Sequence, residues 1–229
     1  MCTFYKNNDK FLVAVDCIIF GFHKGELTLL LIKRDFNPCL GEWSLMGGFL
    51  NQSESINQAA ERVLAELTGL DSIYMDQIGV FGDINRDPAD RVLSVAYYAL
   101  INMDEFDKRL LAKHNATWFS IDKMPPLIFD HEHMVKEALR QLRRKASVEP
   151  IGFNLLPEKF TLPHLQALYE AIYGSELDKR NFRKKVQSIH FLEKSEEKDK
   201  NTSRRGAFLY TFNMASYERL KEEGFTFAL

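Results

Sequence analysis

The chain has 229 residues, 45% of them apolar and 27% charged, with a formal net charge of −2. That composition is ordinary for a globular chain and excludes a largely disordered, collagenous or disulfide-framed one. Cys2, Cys17 and Cys39 form no disulfide or zinc pattern, and the longest apolar run, Phe11 to Phe22, is broken by Asp16 and too short to span a bilayer. With no signal-like N-terminus, the expected location is the cytoplasm, away from membranes.

The near-neutral total hides an asymmetry. Residues 1–150 carry 17 basic and 21 acidic side chains, and residues 151–229 carry 13 and 11. Between Lys179 and Arg205 there are ten basic residues against four acidic, a local excess suited to a polyanion.

Taken in order, residues 11–20 and 27–32 are expected to be buried strands. The turn between them spans Gly21 to Glu26, punctuated by Gly21 and Gly25. Lys33, Arg34 and Asp35 follow at a strand end, then a loop from Pro38 to Gly41 leads past Trp43 to Gly47 and Gly48.

The segment GFLNQSESINQAAERVLAELTGL, residues 48–70, reads as loop, helix and helix stop, with Asn51 or Ser53 as N-cap and Gly69 as a left-handed C-terminal residue. Its fixed offsets match the Nudix box, G-x5-E-x7-R-E-U-x-E-E-x-G-U with U apolar, at Gly48, Glu54, Arg62, Leu64, Glu66, Gly69 and Leu70. Val63 and Leu67 stand where the box has glutamate. Three carboxylates on one helical face can hold Mg²⁺ against a diphosphate. Glu66 alone cannot, so neither a metal nor a cofactor is expected, and no hydrolase.

Strands are expected over 77–81, 91–101 and 116–119, and a helix over 130–145. This order suits an α/β/α sandwich. His131 and His133, at that helix start, are read as surface capping residues. Candidate ligand-binding residues, by position at strand ends or on the box helix, are Lys33, Asp35, Trp43, Glu66 and Asp83.

A polar stretch closing on Pro150 marks the expected boundary between domains 1–150 and 151–229. Thr161 and Pro163 open a helix that Gly174 ends. Asp178 caps a second helix whose apolar face is Phe182, Val186 and Ile189. Its other faces carry Lys179, Arg180, Asn181, Arg183, Lys184 and Lys185, the arrangement of a helix-turn-helix. Two strands, 190–193 and 207–212, would form a wing around KSEEKDKNTSRRG, with Arg204 and Arg205 at its end. A closing helix over 214–223 follows, with Phe225 and Phe227 packing back. Arg180 and Asn181 can reach base edges, whereas Lys184, Lys185, Arg204 and Arg205 suit phosphates. A single winged helix reads few base pairs, so a homodimer on a palindromic operator is expected.

Together, TLPHLQALYEAIYGSELDKRNFRKKV and the box segment make the chain resemble the Nudix-related transcriptional regulators, an α/β Nudix-like sandwich followed by an α+β winged helix-turn-helix domain. The resemblance implies a dimeric repressor released from operator DNA by a metabolite, and is nearest to the L-arabinose-responsive repressors, so a pentose effector is expected. The alternatives are an ADP-ribose-responsive regulator and a Nudix pyrophosphohydrolase acting on ADP-ribose-like substrates.

Overall fold

Strand β1 (Leu12–His23) is buried on both faces, which is why it reads as one continuous apolar run rather than an alternating one. The computed structural model describes residues 5–70, 73–103, 113–200 and 206–224, the side chain of Leu67 excepted. Cys2, Arg204, Arg205, Phe225, Phe227 and the Leu67 side chain lie outside the described residues.

β1 pairs antiparallel with β2 (Glu26–Lys33) and with β4 (Met46–Phe49), and parallel with β6 (Val92–Ile101). With β3 (Trp43–Ser44), β5 (Tyr74–Phe81) and β7 (Ala116–Ser120), the order is β3-β2-β1-β6-β5, β4 lying on β1 and β7 on β2. Val15, Cys17 and Ile19 meet Ala59, Ala60, Val63 and Leu64 of helix α1 (Ile56–Thr68) on one face. On the other, Ile18, Phe20 and Phe22 share a core with Met134, Ala138 and Leu142 of helix α2 (His131–Ala146). This is the expected sandwich.

Local chemistry moves three boundaries. The β1–β2 turn is only Lys24 and Gly25, both at positive φ (51° and 84°), as a tight hairpin requires. Gly21 lies inside the strand instead, where a Cβ would come within 2.8 Å of Met103 and 2.9 Å of Trp118. The N-cap of α1 is Ser55, rather than Asn51 or Ser53. Ser55 and Gln58 satisfy each other's backbone N–H groups in a capping box. Gly69 ends the helix at φ 68°, as expected.

The C-terminal part begins with a 3-10 turn (Ile151–Leu155) and β8 (Phe160–Thr161), then helices α3 (Leu162–Tyr173) and α4 (Lys179–Gln187), strands β9 (Leu192–Asp199) and β10 (Ala207–Phe212), and α5 (Met214–Glu222). Thr161 caps α3, Gly174 ends it at φ 67°, and Asp178 caps α4. The sheet order is β8-β10-β9. β9 does not stop at Glu193. The stretch expected as loop is paired strand as far as Asp199, because Lys194 and Lys198 hold their ammonium groups 3.6 Å and 4.5 Å from the Phe208 ring. Lys159 also grips Glu197 at 2.6 Å. Cross-strand contacts stabilise a strand that its own sequence leaves polar.

The two parts share one core. Leu142 and Ala146 of α2 belong to the same apolar cluster as Leu165, Leu168 and Phe182, and the rings of Phe22 and His164 lie 5.5 Å apart. Among the described residues no helix is long and apolar enough to cross a membrane.

Candidate ligand pocket and nucleic-acid interface

A cavity opens where β1, β2, β4 and the start of α2 converge, and its floor is ionic. Asp16 is the one charge in the buried part of β1. Its carboxylate accepts from the Ser94 hydroxyl and lies 3.6 Å from Arg86 Nη2. Arg86, itself almost fully buried, is held bidentately by Asp130 at 3.0 Å and 2.8 Å. Such paired donors fix a guanidinium in position as well as satisfying its charge.

His131 completes the floor. Its Nδ1 accepts from the Leu45 backbone N–H at 3.1 Å, so the neutral ring carries its proton on Nε2, which faces Asp16 Oδ1 at 3.8 Å. Burial holds the imidazole pKa below its usual value, against the opposing pull of Asp16 and Asp130. Gly47 leaves the space that Asp16 occupies, since a Cβ there would clash with Asp16 Oδ1 and come within 2.9 Å of the Val15 carbonyl oxygen. At the mouth stand Arg34, Phe36 and Phe129.

Of the five candidate ligand residues, the fold brings Asp35 to this cavity. Lys33 and Trp43 face each other across β2 and β3, the ammonium 5.2 Å from the indole ring, and Trp43 packs edge-on against Phe119. Asp83 is exposed, and its backbone carbonyl receives Arg86 N–H and Arg91 Nη1 at 3.3 Å. Glu66 lies outside the cavity, 3.6 Å from Arg62. Sequence reasoning passed over Asp16, Arg34, Arg86 and the buried role of His131. The only local signal was a lone aspartate in an apolar strand.

The box helix has kept its scaffold. Arg62 binds both Glu54 oxygens, at 3.0 Å and 2.7 Å, and the Phe49 carbonyl at 3.1 Å, tying α1 to the end of β4. The Arg62 hydrogen bonds draw the Glu54 pKa down to about 2. Val63 is packed in the core at 1% exposure. No group of three or more His, Cys, Asp or Glu side chains is placed to hold a metal among the described residues. Glu66 is the one box carboxylate on the turn from Arg62 to Gly69, and it faces Arg62.

On α4, Phe182 and Val186 point into the core while Lys179, Arg180, Asn181, Arg183, Lys184 and Lys185 are all exposed. None of these six side chains makes an ion pair or hydrogen bond among the described residues. The turn before α4 is fixed by Glu170, whose Oε1 accepts from Leu177 N–H at 3.0 Å and from Gln166 at 2.8 Å. A short helix packed on its apolar side, with unneutralised cations and an amide opposite, has the side-chain chemistry that can meet phosphates and base edges.

Comparison with known proteins bears on both sites. Residues 10–141 match the NUDIX domain model and residues 152–212 the model of the NrtR DNA-binding winged helix domain. The chain is 33% identical over 211 residues to the ADPR responsive transcriptional repressor NtrR of Acinetobacter baylyi, covering 90% of this chain and 84% of that protein. It is 36% identical over 128 residues to the ADP-ribose pyrophosphatase of Methanocaldococcus jannaschii, covering 56% of this chain and 73% of that one. Shewanella oneidensis NrtR in complex with a 27mer DNA superposes with a TM-score of 0.80 at 30% identity, over 87% of this chain and 93% of that one. Its NUDIX domain in complex with ADP ribose gives 0.51 at 29% identity, over 60% and 92%. These relatives speak of ADP-ribose and lend no support to the pentose expected from the resemblance.

Proposed function

The chain belongs to the NUDIX family and joins that domain to a winged helix of the NrtR type, and from this premise we propose that it is a DNA-binding transcriptional repressor controlled by ADP-ribose. Residues 1–150 form the effector unit and residues 151–229 the DNA-binding unit. It works as a cytoplasmic homodimer, because one winged helix buries too little surface for useful affinity and two copies on half-sites a helical turn apart supply it. The observation that carries this reading is α4, with six exposed basic or amide side chains and no protein partner among the described residues.

ADP-ribose replaces L-arabinose as the effector. Val63 and Leu67 stand where the box has glutamate, but a metal is needed to cleave a diphosphate and not to bind it. Arg34, at the cavity mouth and without an ion pair among the described residues, supplies a cation for it. A sensor needs only to bind its ligand more tightly in the conformation that releases DNA.

The test is fluorescence anisotropy of a labelled duplex from the region upstream of the chain's own gene, titrated with ADP-ribose and, separately, L-arabinose. Release by ADP-ribose alone supports the proposal, and release by arabinose alone defeats the effector assignment. The rival is a working pyrophosphohydrolase, for which the M. jannaschii relative speaks. Turnover of ADP-ribose with Mg²⁺ at ordinary enzymatic rates, with no affinity for duplex DNA, would decide for it.

A further inference from the structure

The loop after β2 presents an aromatic ring at the cavity mouth in a way that the packing of the fold does not require. Arg34 N–H donates to the Glu42 carbonyl at 3.0 Å and Gly41 N–H to the Arg34 carbonyl at 2.7 Å, closing the base of the loop 35–40. Arg34 Nε donates to the Pro38 carbonyl at 2.6 Å, so the guanidinium is anchored within the loop itself. Its plane then carries Phe36, the ring centroid 3.8 Å from Cζ, with Phe129 at 5.6 Å. Phe36 is nonetheless 53% exposed. One face is backed by the cation and the ring still presents a large apolar surface to water beside the pocket.

We infer that Phe36, buttressed by Arg34, is the platform on which the purine base of the effector stacks, so that the pocket selects nucleotides over bare sugar phosphates. This rests on the proposed ADP-ribose reading and extends it to the group that distinguishes ADP-ribose from ribose phosphates. Every base has a π face, and an aromatic side chain offers it a partner without hydrogen-bond readout. A cation behind the ring polarises it and fixes its orientation. The same guanidinium keeps its terminal nitrogens for the diphosphate, which joins base recognition and phosphate recognition in one loop.

The experiment is calorimetric titration of the full chain, and of Phe36→Ala and Phe36→Trp, with ADP-ribose, together with the fluorescence of bound etheno-ADP-ribose at saturation. The expected result is a loss of roughly 5- to 150-fold in affinity for Phe36→Ala, near-native affinity for Phe36→Trp, and quenching of the etheno base by the native chain that Phe36→Ala abolishes. Phe36 is half exposed, so both variants should melt within a few degrees of the native chain. Native affinity or native quenching in Phe36→Ala overturns the platform while leaving the ADP-ribose reading intact. Absence of ADP-ribose binding by the native chain overturns both.

Discussion

Arg143 Nε lies 2.8 Å from the carbonyl oxygen of Ile172, so the last turn of α2 donates to the end of α3, the first helix of the helix-turn-helix. The other end of α2 is in the pocket, where Asp130 grips Arg86 and His131 faces Asp16. Its sixteen residues span about 24 Å. One rigid element therefore touches both the candidate ligand cavity and the scaffold of the candidate recognition helix.

From this we predict that Arg143→Ala keeps ADP-ribose affinity and DNA affinity but weakens their coupling. The bond is charge-assisted and part-buried, with Arg143 itself exposed, so about 0.5–1.5 kcal/mol of stability should be lost. The concentration of ADP-ribose needed for half release of DNA should rise at least threefold by anisotropy. An unchanged release curve would remove α2 from the route.

His131 gives a pH dependence with a definite sign. Its folded pKa is held below the unfolded value by burial, so the unfolded chain binds more protons between the two pKa values. The groups that face it are Asp16 and Asp130, which raise its pKa, and Arg86 and Arg34, which lower it. Stability should be fully present above about pH 6.5 and fall as pH drops below it, by at most about 1.4 kcal/mol per pH unit. Urea denaturation at pH 7.5, 6.5 and 5.5 measures this. His131→Asn cannot be protonated and should show a shallower fall; an identical slope would place the titration elsewhere.

Gly47 is a packing requirement, not a conformational one. An added methyl meets a backbone oxygen at 2.9 Å as well as the Asp16 carboxylate, so rotating a side chain cannot relieve it. Gly47→Ala should cost about 1–3 kcal/mol and, by displacing Asp16, lower ADP-ribose affinity more than it lowers DNA affinity. Equal loss of both, with an unchanged melting temperature, would show that Asp16 does not shape the pocket.

Local patterns account for what the sequence disclosed. Strands β1 and β2, the box helix with its Gly69 stop, and α4 with its Asp178 cap each announce themselves within a window of about a dozen residues. The pocket does not. Its ion pair joins Arg86 to Asp130, and its buried hydrogen bond joins Asp16 to Ser94, 44 and 78 positions apart. No residue type or spacing marks such partners; the parallel pairing of β1 with β6 brings Asp16 to Ser94, and the cap of α2 brings Asp130 to Arg86. β9 was hidden for the opposite reason. Its residues are polar on both faces, and only Phe208 and Lys159 across from it reveal a strand. Lys33 and Trp43 satisfy each other because the two-residue β3 pairs beside β2, a contact too brief to leave a periodicity.

The candidate recognition helix, α4, offers the sharpest separation of roles. Asn181 stands in the first turn of α4, its backbone N–H taken by Asp178 at 2.7 Å and its side chain exposed. Arg180 lies beside it, also exposed, and in the proposed function both side chains would contact base edges in a major groove. Lys185, in the last turn, is placed for the phosphate backbone, where affinity depends on counterion release. Arg180→Ala or Asn181→Ala should therefore cost about 1–3 kcal/mol on the cognate duplex and little on a scrambled one. Lys185→Ala should weaken both duplexes alike and reduce the slope of log affinity against log salt by about one. Binding measured on the two duplexes from 50 to 200 mM salt checks this. Were the three variants to lose affinity in equal proportion on both sequences, the N-terminal turn of α4 would not be reading bases.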